Sequence, residues 1–265
     1  MDLKIKGRTA LVTGSTAGIG FAIARALARE GAHVWINGRT QARVSSAIAA
    51  IKSEIPSAKV EGIAADFSSG ASAAAEITAA LPAVDILVNN IGIFEVKPFL
   101  EIPDAEWHRF FEVNVMSGVR LSRHYLQPML QKNWGRILFI SSESAVQIPV
   151  EMVHYGMTKT AQVSIARGIA ESVAGTGVTV NSILAGPTES EGVVTFLESM
   201  ARQQHKTPQQ IEKDFFEQAR PTSLLKRFAT ADEVAALVAY VAGEPSSATN
   251  GAALRVDGGV VRAIL

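Results

Sequence analysis

Short, continuously apolar runs alternate with longer segments of helical periodicity along most of the chain. RTALVT (8–13), HVWIN (33–37) and GRILFIS (135–141) are three of these runs. Strands that are buried on both faces of a sheet are apolar throughout, and strands that each precede a helix form parallel sheets. The pattern therefore predicts a doubly wound α/β fold, in which helices cover both faces of six or seven parallel strands.

The same pattern places the individual elements. The expected strands are 8–13, 33–37, 59–65, 84–90, 135–141, 178–184 and 252–256, and the expected helices are 18–31, 41–54, 71–80, a long region from Pro103 towards Lys132, 153–173 and 231–242. No linker, repeat or low-complexity tract divides the chain, so we expect one domain over residues 1–265.

One segment, 188–228, interrupts the alternation. It is rich in Glu, Gln and Lys, yet it carries the apolar residues Val193, Val194, Phe196, Leu197, Met200, Phe215 and Phe216. This mixture predicts two amphipathic helices. Ligands of open α/β sheets bind beyond the carboxyl ends of the strands, so we expect this insertion, which follows a strand, to be a substrate lid. Its apolar residues favour a small-molecule substrate with a hydrophobic part.

The composition argues against several classes of function. The 25 Lys and Arg residues balance the 25 Asp and Glu residues, so neither nucleic acid nor an anionic membrane is an expected partner. The chain has no cysteine, which excludes disulfides, thiolate catalysis and cysteine-ligated metals, and we expect no metal site. Neither a signal peptide nor an apolar run of the roughly 18 residues that span a bilayer is present, and we expect a cytoplasmic protein.

A glycine-rich loop follows the first predicted strand. It reads TGSTAGIG (13–20), and Gly14, Gly18 and Gly20 allow a tight turn and a close approach of a ligand to the backbone. The helix that begins there directs its free N–H groups at the turn, which suits a pyrophosphate. The loop is not a Walker motif, because no Gly-Lys-Ser/Thr follows it.

Tyr155 and Lys159 lie four residues apart in HYGMTKT (154–160) and therefore share one helix face. A lysine ammonium near the phenol favours the phenolate, which would lower the tyrosine pKa from its usual value of about 10. The phenol could then exchange a proton with an alcohol or carbonyl near neutral pH. The alternative is a solvated lysine beside a packed tyrosine.

The glycine spacing and the Tyr155–Lys159 pair together resemble the classical short-chain dehydrogenase/reductase family. Further matching motifs, in order along the chain, are Asp66, Asn89-Asn90-Ile91-Gly92, Asn114, Ser142 and the RVDGG segment near the C-terminus. The resemblance covers essentially the whole chain. It implies a single Rossmann-type domain with a seven-stranded parallel sheet, a homotetramer or homodimer, and hydride transfer between a nicotinamide cofactor and a carbonyl or alcohol substrate.

The resemblance also implies a role for each matching residue. Tyr155 would be the general acid/base, Ser142 would hold the substrate oxygen, and Asn114 would organise a water that connects Lys159 to solvent. Alternatively, Ser142 caps the next turn and Asn114 is a packing residue. The implied cofactor contacts are Gly14, Ser15, Thr16, Gly18, Ile19, Gly20, Arg39, Asp66, Phe67, Asn90, Gly92, Tyr155, Lys159, Gly186, Thr188 and Ser190.

The end of the second predicted strand bears on the choice of cofactor. NAD selection normally uses an acidic residue there, bonded to the ribose 2′-hydroxyl, but this chain has Gly38 followed by Arg39. An arginine can face the 2′-phosphate of NADP, so we predict NADP. Two alternatives remain: Asn37 could bond a bare ribose, which would suit NAD, or Arg39 could be an exposed residue that opens the next helix.

Three further positions carry weaker expectations. In LAGPTES (184–190), Ala185 stands where the family usually has proline, and Ser190 stands where it has a threonine that contacts the nicotinamide amide. Glu143 either orients a polar or cationic substrate or lies as a loop carboxylate in solvent. For His154 we expect a structural role, because it points to a different side of the helix from Tyr155.

Two rival readings remain open. One is an NAD-linked alcohol dehydrogenase of the same family. The other is a cofactor-sensing regulator without turnover, although such proteins typically lose the tyrosine or the lysine.

Overall fold

Seven parallel strands form one sheet across the residues that the structure describes. The structure, a computed structural model, covers residues 1–264, and the side chains at 191, 192, 195, 196 and 199 lie outside what it describes. The strands are β1 Thr9–Val12, β2 His33–Gly38, β3 Val60–Ala64, β4 Ile86–Asn89, β5 Gly135–Ser142, β6 Val178–Ala185 and β7 Ala253–Val256. Their order is β3-β2-β1-β4-β5-β6-β7, which is doubly wound and confirms the predicted fold class.

Helices connect the strands. They are α1 Gly18–Arg29, α2 Gln41–Glu54, α3 Ala71–Ala80, α4 Asp104–Phe111, α5 Ser117–Gln131, α6 Val153–Ser172, α7 Glu191–Gln204, α8 Pro208–Asp214 and α9 Ala231–Ala242. The predicted long helical region beyond Pro103 is present, and it consists of α4, a π-helical segment, Glu112–Met116, and α5. Within residues 1–264, no helix is both long enough and apolar enough to cross a bilayer.

Strand β1 shows why the central strands are apolar throughout. Ala10 and Val12 pack into one core cluster with residues of α1, α2 and α9, whereas Leu11 packs into a second cluster with residues of α3, α5 and α6. All three side chains are fully buried. Because both faces of the strand meet helices, neither face can carry exposed polar residues, and the sheet edge at the carboxyl ends is left for the site.

The 188–228 insertion has an apolar cluster of its own. Its buried members are Leu197, Ala201, Ile211, Phe216 and Phe228, with Val193, Met200 and Phe215 packed against them. Of the other apolar residues that the sequence singled out, Val194 is exposed and the side chain of Phe196 lies outside the described residues. The predicted amphipathic helices are thus α7 and α8, and they bury much of their apolar surface against each other.

The two ends of the insertion meet in a short parallel bridge between Thr188 and Ala229. The N–H of Glu189 donates to the carbonyl of Ala229 over 2.8 Å, and the N–H of Ala229 donates to the carbonyl of Pro187 over 2.9 Å. The two ends of the insertion therefore lie side by side, close to the end of β6.

Candidate active site

The carboxyl ends of adjacent strands bring the predicted site residues to one edge of the sheet. The glycine loop follows β1, Asn90 follows β4, Ser142 ends β5 and Gly186 follows β6. These four strands are neighbours in the sheet. Residues that are up to about 170 positions apart in sequence thus face one crevice, as expected for ligand sites of open α/β sheets.

The glycine loop is held in shape by Asn90. The Asn90 side-chain amide donates to the carbonyls of Thr13 over 3.0 Å and Gly14 over 3.1 Å. A Cβ atom at Gly20 would lie 2.4 Å from the Gly14 carbonyl oxygen and 2.5 Å from Nδ2 of Asn90. Only glycine fits at position 20, and the predicted cofactor residue Asn90 uses its amide within the loop.

Helix α1 begins in this loop without a side-chain cap. Its first N–H groups lack helical partners and form an anion site together with the helix dipole. Gly18 has a φ of +55°, and a Cβ atom there would lie 3.6 Å from the Cβ of Ser190. The start of α7 therefore borders the glycine loop, where Thr16, Gly18 and Ile19 are partly exposed. The space and the donors fit a pyrophosphate.

Asn37 is fully buried, and its side chain is occupied within the protein. Its Oδ1 accepts from the N–H of Gly14 over 3.1 Å, and its Nδ2 donates to the carbonyls of Ile63 and Ala65 over 3.2 and 3.1 Å. The alternative in which Asn37 bonds a ribose is therefore wrong. Arg39 is exposed, and no described residue forms a hydrogen bond or ion pair with its side chain.

Ser15, Asp66 and Phe67 occupy different environments. The Ser15 hydroxyl is buried and donates to the carbonyl of Val12 over 2.6 Å, so its side chain supports the loop. Asp66 follows β3, and its Oδ1 accepts from the N–H of Ser68 over 3.0 Å. Phe67 is buried in the core, which leaves only its backbone for the predicted cofactor contact.

Lys159 is buried and anchored to the sheet. Its Nζ donates to the carbonyl of Ile140 over 2.9 Å and to Oε1 of Gln162 over 3.2 Å, and it lies 5.6 Å from the centre of the Tyr155 ring. Burial lowers the pKa of Lys159 to about 8, while the charge of Glu143 opposes that shift. Gly92 borders this site, because a Cβ atom there would lie 3.3 Å from Nζ.

The pKa of Tyr155 is raised, whereas the sequence predicted that it would be lowered. Burial is the largest cause, and the negative charge of Glu143 acts in the same direction. The hydrogen bond with Ser142 and the charge of Arg220 act against the shift. The Lys159 ammonium, which is held by Ile140 and Gln162, does not outweigh the effect of burial on the phenol.

Asn114 lies in the π-helical segment and clamps the loop after β4. Its Oδ1 accepts from the N–H of Ile93 over 2.8 Å, and its Nδ2 donates to the carbonyl of Ile93 and the hydroxyl of Thr158. The Asn114 carbonyl accepts from Nε2 of Gln162 over 2.6 Å. Gln162 therefore links Lys159 to Asn114, a connection that the sequence analysis missed although Gln162 lies three residues after Lys159 on α6.

Glu143 is buried beside Ser142 and does not lie in solvent, which makes that alternative wrong. Its Oε2 accepts from the Ser142 hydroxyl over 2.5 Å, and its Oε1 accepts from Nε of Arg220 over 3.1 Å. Ser142 also caps the following turn by accepting from the N–H of Ser144. Arg220 was not predicted, because it lies in the insertion 77 residues away.

His154 packs away from the site, as the predicted structural role requires. Its ring lies 4.1 Å from that of Phe110 and 6.1 Å from that of Trp107, both on α4.

The turn after β6 is tightly packed. A Cβ atom at Gly186 would lie 2.5 Å from the Asp257 carbonyl oxygen, and Ser190 caps α7. Thr188 donates to the Gly186 carbonyl over 2.9 Å.

Comparison with known proteins agrees with this geometry. The family described as enoyl-(acyl carrier protein) reductase matches residues 14–261. The chain is 49% identical to YvaG of Bacillus subtilis, an uncharacterized oxidoreductase, over the full length of both proteins. The chain belongs to the classical short-chain dehydrogenase/reductase family. It is also 32% identical to D-beta-hydroxybutyrate dehydrogenase of Rhizobium meliloti, over 95% of this chain and 98% of that protein.

Solved structures of this family share the whole fold. L-sorbose reductase from Gluconobacter frateurii, complexed with NADPH and L-sorbose, matches with a TM-score of 0.92 and 28% identity, over 100% of both chains. As a short-chain dehydrogenase/reductase, the protein is an NAD(P)-dependent oxidoreductase. Membership in the family thus fixes the class of chemistry.

Proposed function

We propose that this enzyme transfers a hydride between NADP(H) and a carbonyl or secondary alcohol, with Tyr155 as general acid/base. The observation that carries the proposal is the convergence of Tyr155, Ser142 and Lys159 at the carboxyl edge of the sheet, beside the glycine loop. The Ser142 hydroxyl acts to lower the pKa of Tyr155, and the Lys159 ammonium lies 5.6 Å from the Tyr155 ring.

In the direction of reduction, the Tyr155 phenol donates a proton to the substrate oxygen while a hydride reaches the carbonyl carbon. The Ser142 hydroxyl, which donates to Glu143 in the free protein, turns its proton to that oxygen as negative charge develops on it. When bound, the nicotinamide supplies the hydride or, in oxidation, accepts it. Lys159 favours the phenolate that remains, and Asn114 fixes the loop and helix on which these groups stand.

NADP is the proposed cofactor because of what the end of β2 offers. Gly38 carries no acidic side chain, and Asn37 is occupied internally. Arg39 is exposed and directly follows Gly38, which borders Thr16 of the glycine loop. A planar guanidinium suits the 2′-phosphate. L-sorbose reductase, which matches this chain in fold, was solved with NADPH.

We also propose that the 188–228 insertion is a lid over the substrate. Arg220 reaches from its end to Glu143, and the start of α7 borders the glycine loop. A substrate with a hydrophobic part would meet Phe94, whose ring lies 6.4 Å from that of Tyr155 and is 64% exposed. The insertion itself offers less apolar surface than predicted, because most of its apolar residues pack together.

Three broader expectations stay with the proposal. The chain would form one domain and act in the cytoplasm. It would assemble as a homotetramer or homodimer, with the helical region α4–α5 and helix α6 packed against the same helices of a partner. The continuous sheet from β3 to β7 supports the single domain. Light scattering that shows a concentration-independent monomer would overturn the assembly.

The test is the Tyr155→Phe variant, assayed with NADPH and a panel of ketones and with NADP⁺ and the corresponding alcohols. We expect turnover to fall by roughly 10²–10⁴-fold, because the acid/base group is lost, while NADPH binding persists. Tyr240→Phe, on α9 and partly exposed, is the matched control and should behave as wild type. Turnover at the wild-type rate in Tyr155→Phe would disprove the mechanism, and cofactor binding without turnover in wild type would favour a regulator.

A further inference from the structure

A buried charge network joins the insertion to the active-site serine. Arg220, at the end of the π-helical segment Phe215–Ala219, is 8% exposed, and Glu143 is 5% exposed. The guanidinium donates through Nε to Glu143 over 3.1 Å and through Nη1 to Glu151 over 3.2 Å. Glu143 in turn accepts from the Ser142 hydroxyl over 2.5 Å.

The Arg220–Glu143 pair is a buried ion pair and not a solvent-exposed one. Removing one partner of a buried ion pair leaves an uncompensated buried charge, which is strongly destabilising. Glu151, the other partner of Arg220, is partly buried on the loop before α6. The Arg220 charge is thus the group that keeps a carboxylate compatible with a site where a phenolate must form.

We propose that Arg220 is a positioning residue for the proposed reaction: closure of the 188–228 insertion places Arg220 on Glu143, and Glu143 thereby fixes the Ser142 hydroxyl and loses its repulsion of the Tyr155 phenolate. The inference rests on the proposed function. The insertion then acts on the proton-transfer step through charge, in addition to covering the substrate.

The charged groups around Tyr155 come from four directions. Glu143 follows β5, Arg220 follows the π-helical segment Phe215–Ala219 of the insertion, Glu151 precedes α6, and Lys159 lies within α6. Glu143 raises the pKa of both Tyr155 and Lys159, and Arg220 lowers that of Tyr155.

The remaining nearby charges, on the loop after β4, face elsewhere. Glu95 and Lys97 lie 4.0 Å apart and act on His154. Glu143 and Arg220 are therefore the two groups through which the insertion reaches the acid/base pair.

These charges determine the direction in which each substitution shifts the pH profile. In alcohol oxidation the phenolate is the active form, so kcat/KM rises with pH through the apparent pKa of the coupled Tyr155–Lys159 pair. Arg220→Gln leaves the Glu143 charge uncompensated and shifts this profile to higher pH. Glu143→Gln shifts it to lower pH. In the double variant both charges are gone, so the profile returns towards that of wild type.

The experiment measures kcat/KM for alcohol oxidation against pH, at saturating NADP⁺, for wild type, both single variants and Glu143→Gln/Arg220→Gln. We expect opposite shifts of about one pH unit for the single variants, since a close charge shifts a pKa by about 1–3 units. The double variant should lie close to wild type, because the opposite shifts cancel when both charges are removed together. Arg220→Lys keeps the charge and should keep the wild-type profile.

Arg227→Gln is the matched control, because Arg227 lies seven residues after Arg220 and forms an exposed pair with Glu233. Its profile should match that of wild type. The inference would be overturned by any of three results. These are unshifted profiles in both single variants, shifts of the same sign in both, or a double variant whose profile is no closer to wild type than that of Arg220→Gln.

Hydrogen exchange separates this inference from the proposed function. In the free protein, Arg220→Gln should speed amide exchange within residues 188–228 and leave the central strands unchanged. A wild-type enzyme that turns over no carbonyl or alcohol would disprove the proposed function. Active wild type with unchanged profiles and unchanged exchange in Arg220→Gln would disprove only the role of Arg220.

Discussion

The Cγ2 atom of Thr16 lies 2.4 Å from the position that a Cβ atom at Gly38 would take. The end of β2 is therefore closed to side chains by the glycine loop itself. In NAD enzymes of this architecture an acidic side chain commonly projects from the end of the second strand to the ribose. We propose that the next residue, Arg39, takes over the recognition of the ribose, through its 2′-phosphate.

We expect Gly38→Ala to weaken the binding of NADPH and NADH alike by about tenfold, because the added methyl group must displace Thr16. Overpacking of this kind also costs about 1–3 kcal/mol of stability. Thr16→Ser removes the clashing atom, so Thr16→Ser/Gly38→Ala should recover most of both losses. Fluorescence titration and thermal unfolding measure the two effects, and equal affinities in Gly38→Ala and wild type would refute this packing argument.

Arg39→Gln should weaken NADPH binding by roughly 10–100-fold and leave NADH binding unchanged, since a hydrogen bond to a charged group contributes about 1.5–3 kcal/mol. Lys52→Gln, exposed in the last turn of α2, is the control for the loss of one positive charge. Equilibrium titration with each cofactor gives the ratio of the dissociation constants for NADH and NADPH. If Arg39→Gln still prefers NADPH, another group of the protein binds the 2′-phosphate.

The fold was predictable from sequence because the signal is local. Ala10, Leu11 and Val12 are apolar in succession since both sheet faces are covered, and this repeats in strand after strand. The π-helical segment was not predictable, because the hydrophobic pattern runs on through it. It coincides with the bonds of Asn114 to Ile93 and Thr158, which depend on tertiary structure.

The site was predictable in its membership but not in its electrostatics. Motif spacing identified Ser142, Tyr155 and Lys159, which the structure brings together. The direction of the Tyr155 pKa was wrong, because it depends on burial and on Glu143. The Glu143–Arg220 pair joins residues 77 positions apart, and no local sequence pattern predicts a contact between residues so far apart in the chain.

The buried Lys159 should give folding stability a distinct pH dependence. Its folded pKa of about 8 lies below the ordinary 10.5, so between these values the unfolded chain binds more protons and stability from this group rises with pH. Lys159→Met should lose this rise, which amounts to roughly 2–3 kcal/mol. Urea unfolding of both proteins at pH 8 and pH 10 measures it, and parallel pH dependences would contradict the lowered pKa.

Phe228→Ala should loosen the insertion without unfolding the sheet domain. The Phe228 ring lies 5.1 Å from those of both Phe215 and Phe216, in a cluster separate from the two that flank the sheet. Truncating a buried phenylalanine costs about 3–5 kcal/mol, and here that loss falls on the local cluster. Amide exchange should therefore accelerate within 188–228 but not in β1 or β5.

Because the proposed lid would then be open more often, KM for the carbonyl substrate should rise more than kcat falls. Phe99→Ala, an exposed residue outside the cluster, is the matched control and should leave exchange in the insertion unchanged. If exchange in Phe228→Ala accelerates equally across the sheet, the insertion is part of the cooperative unit of the sheet domain and does not open on its own.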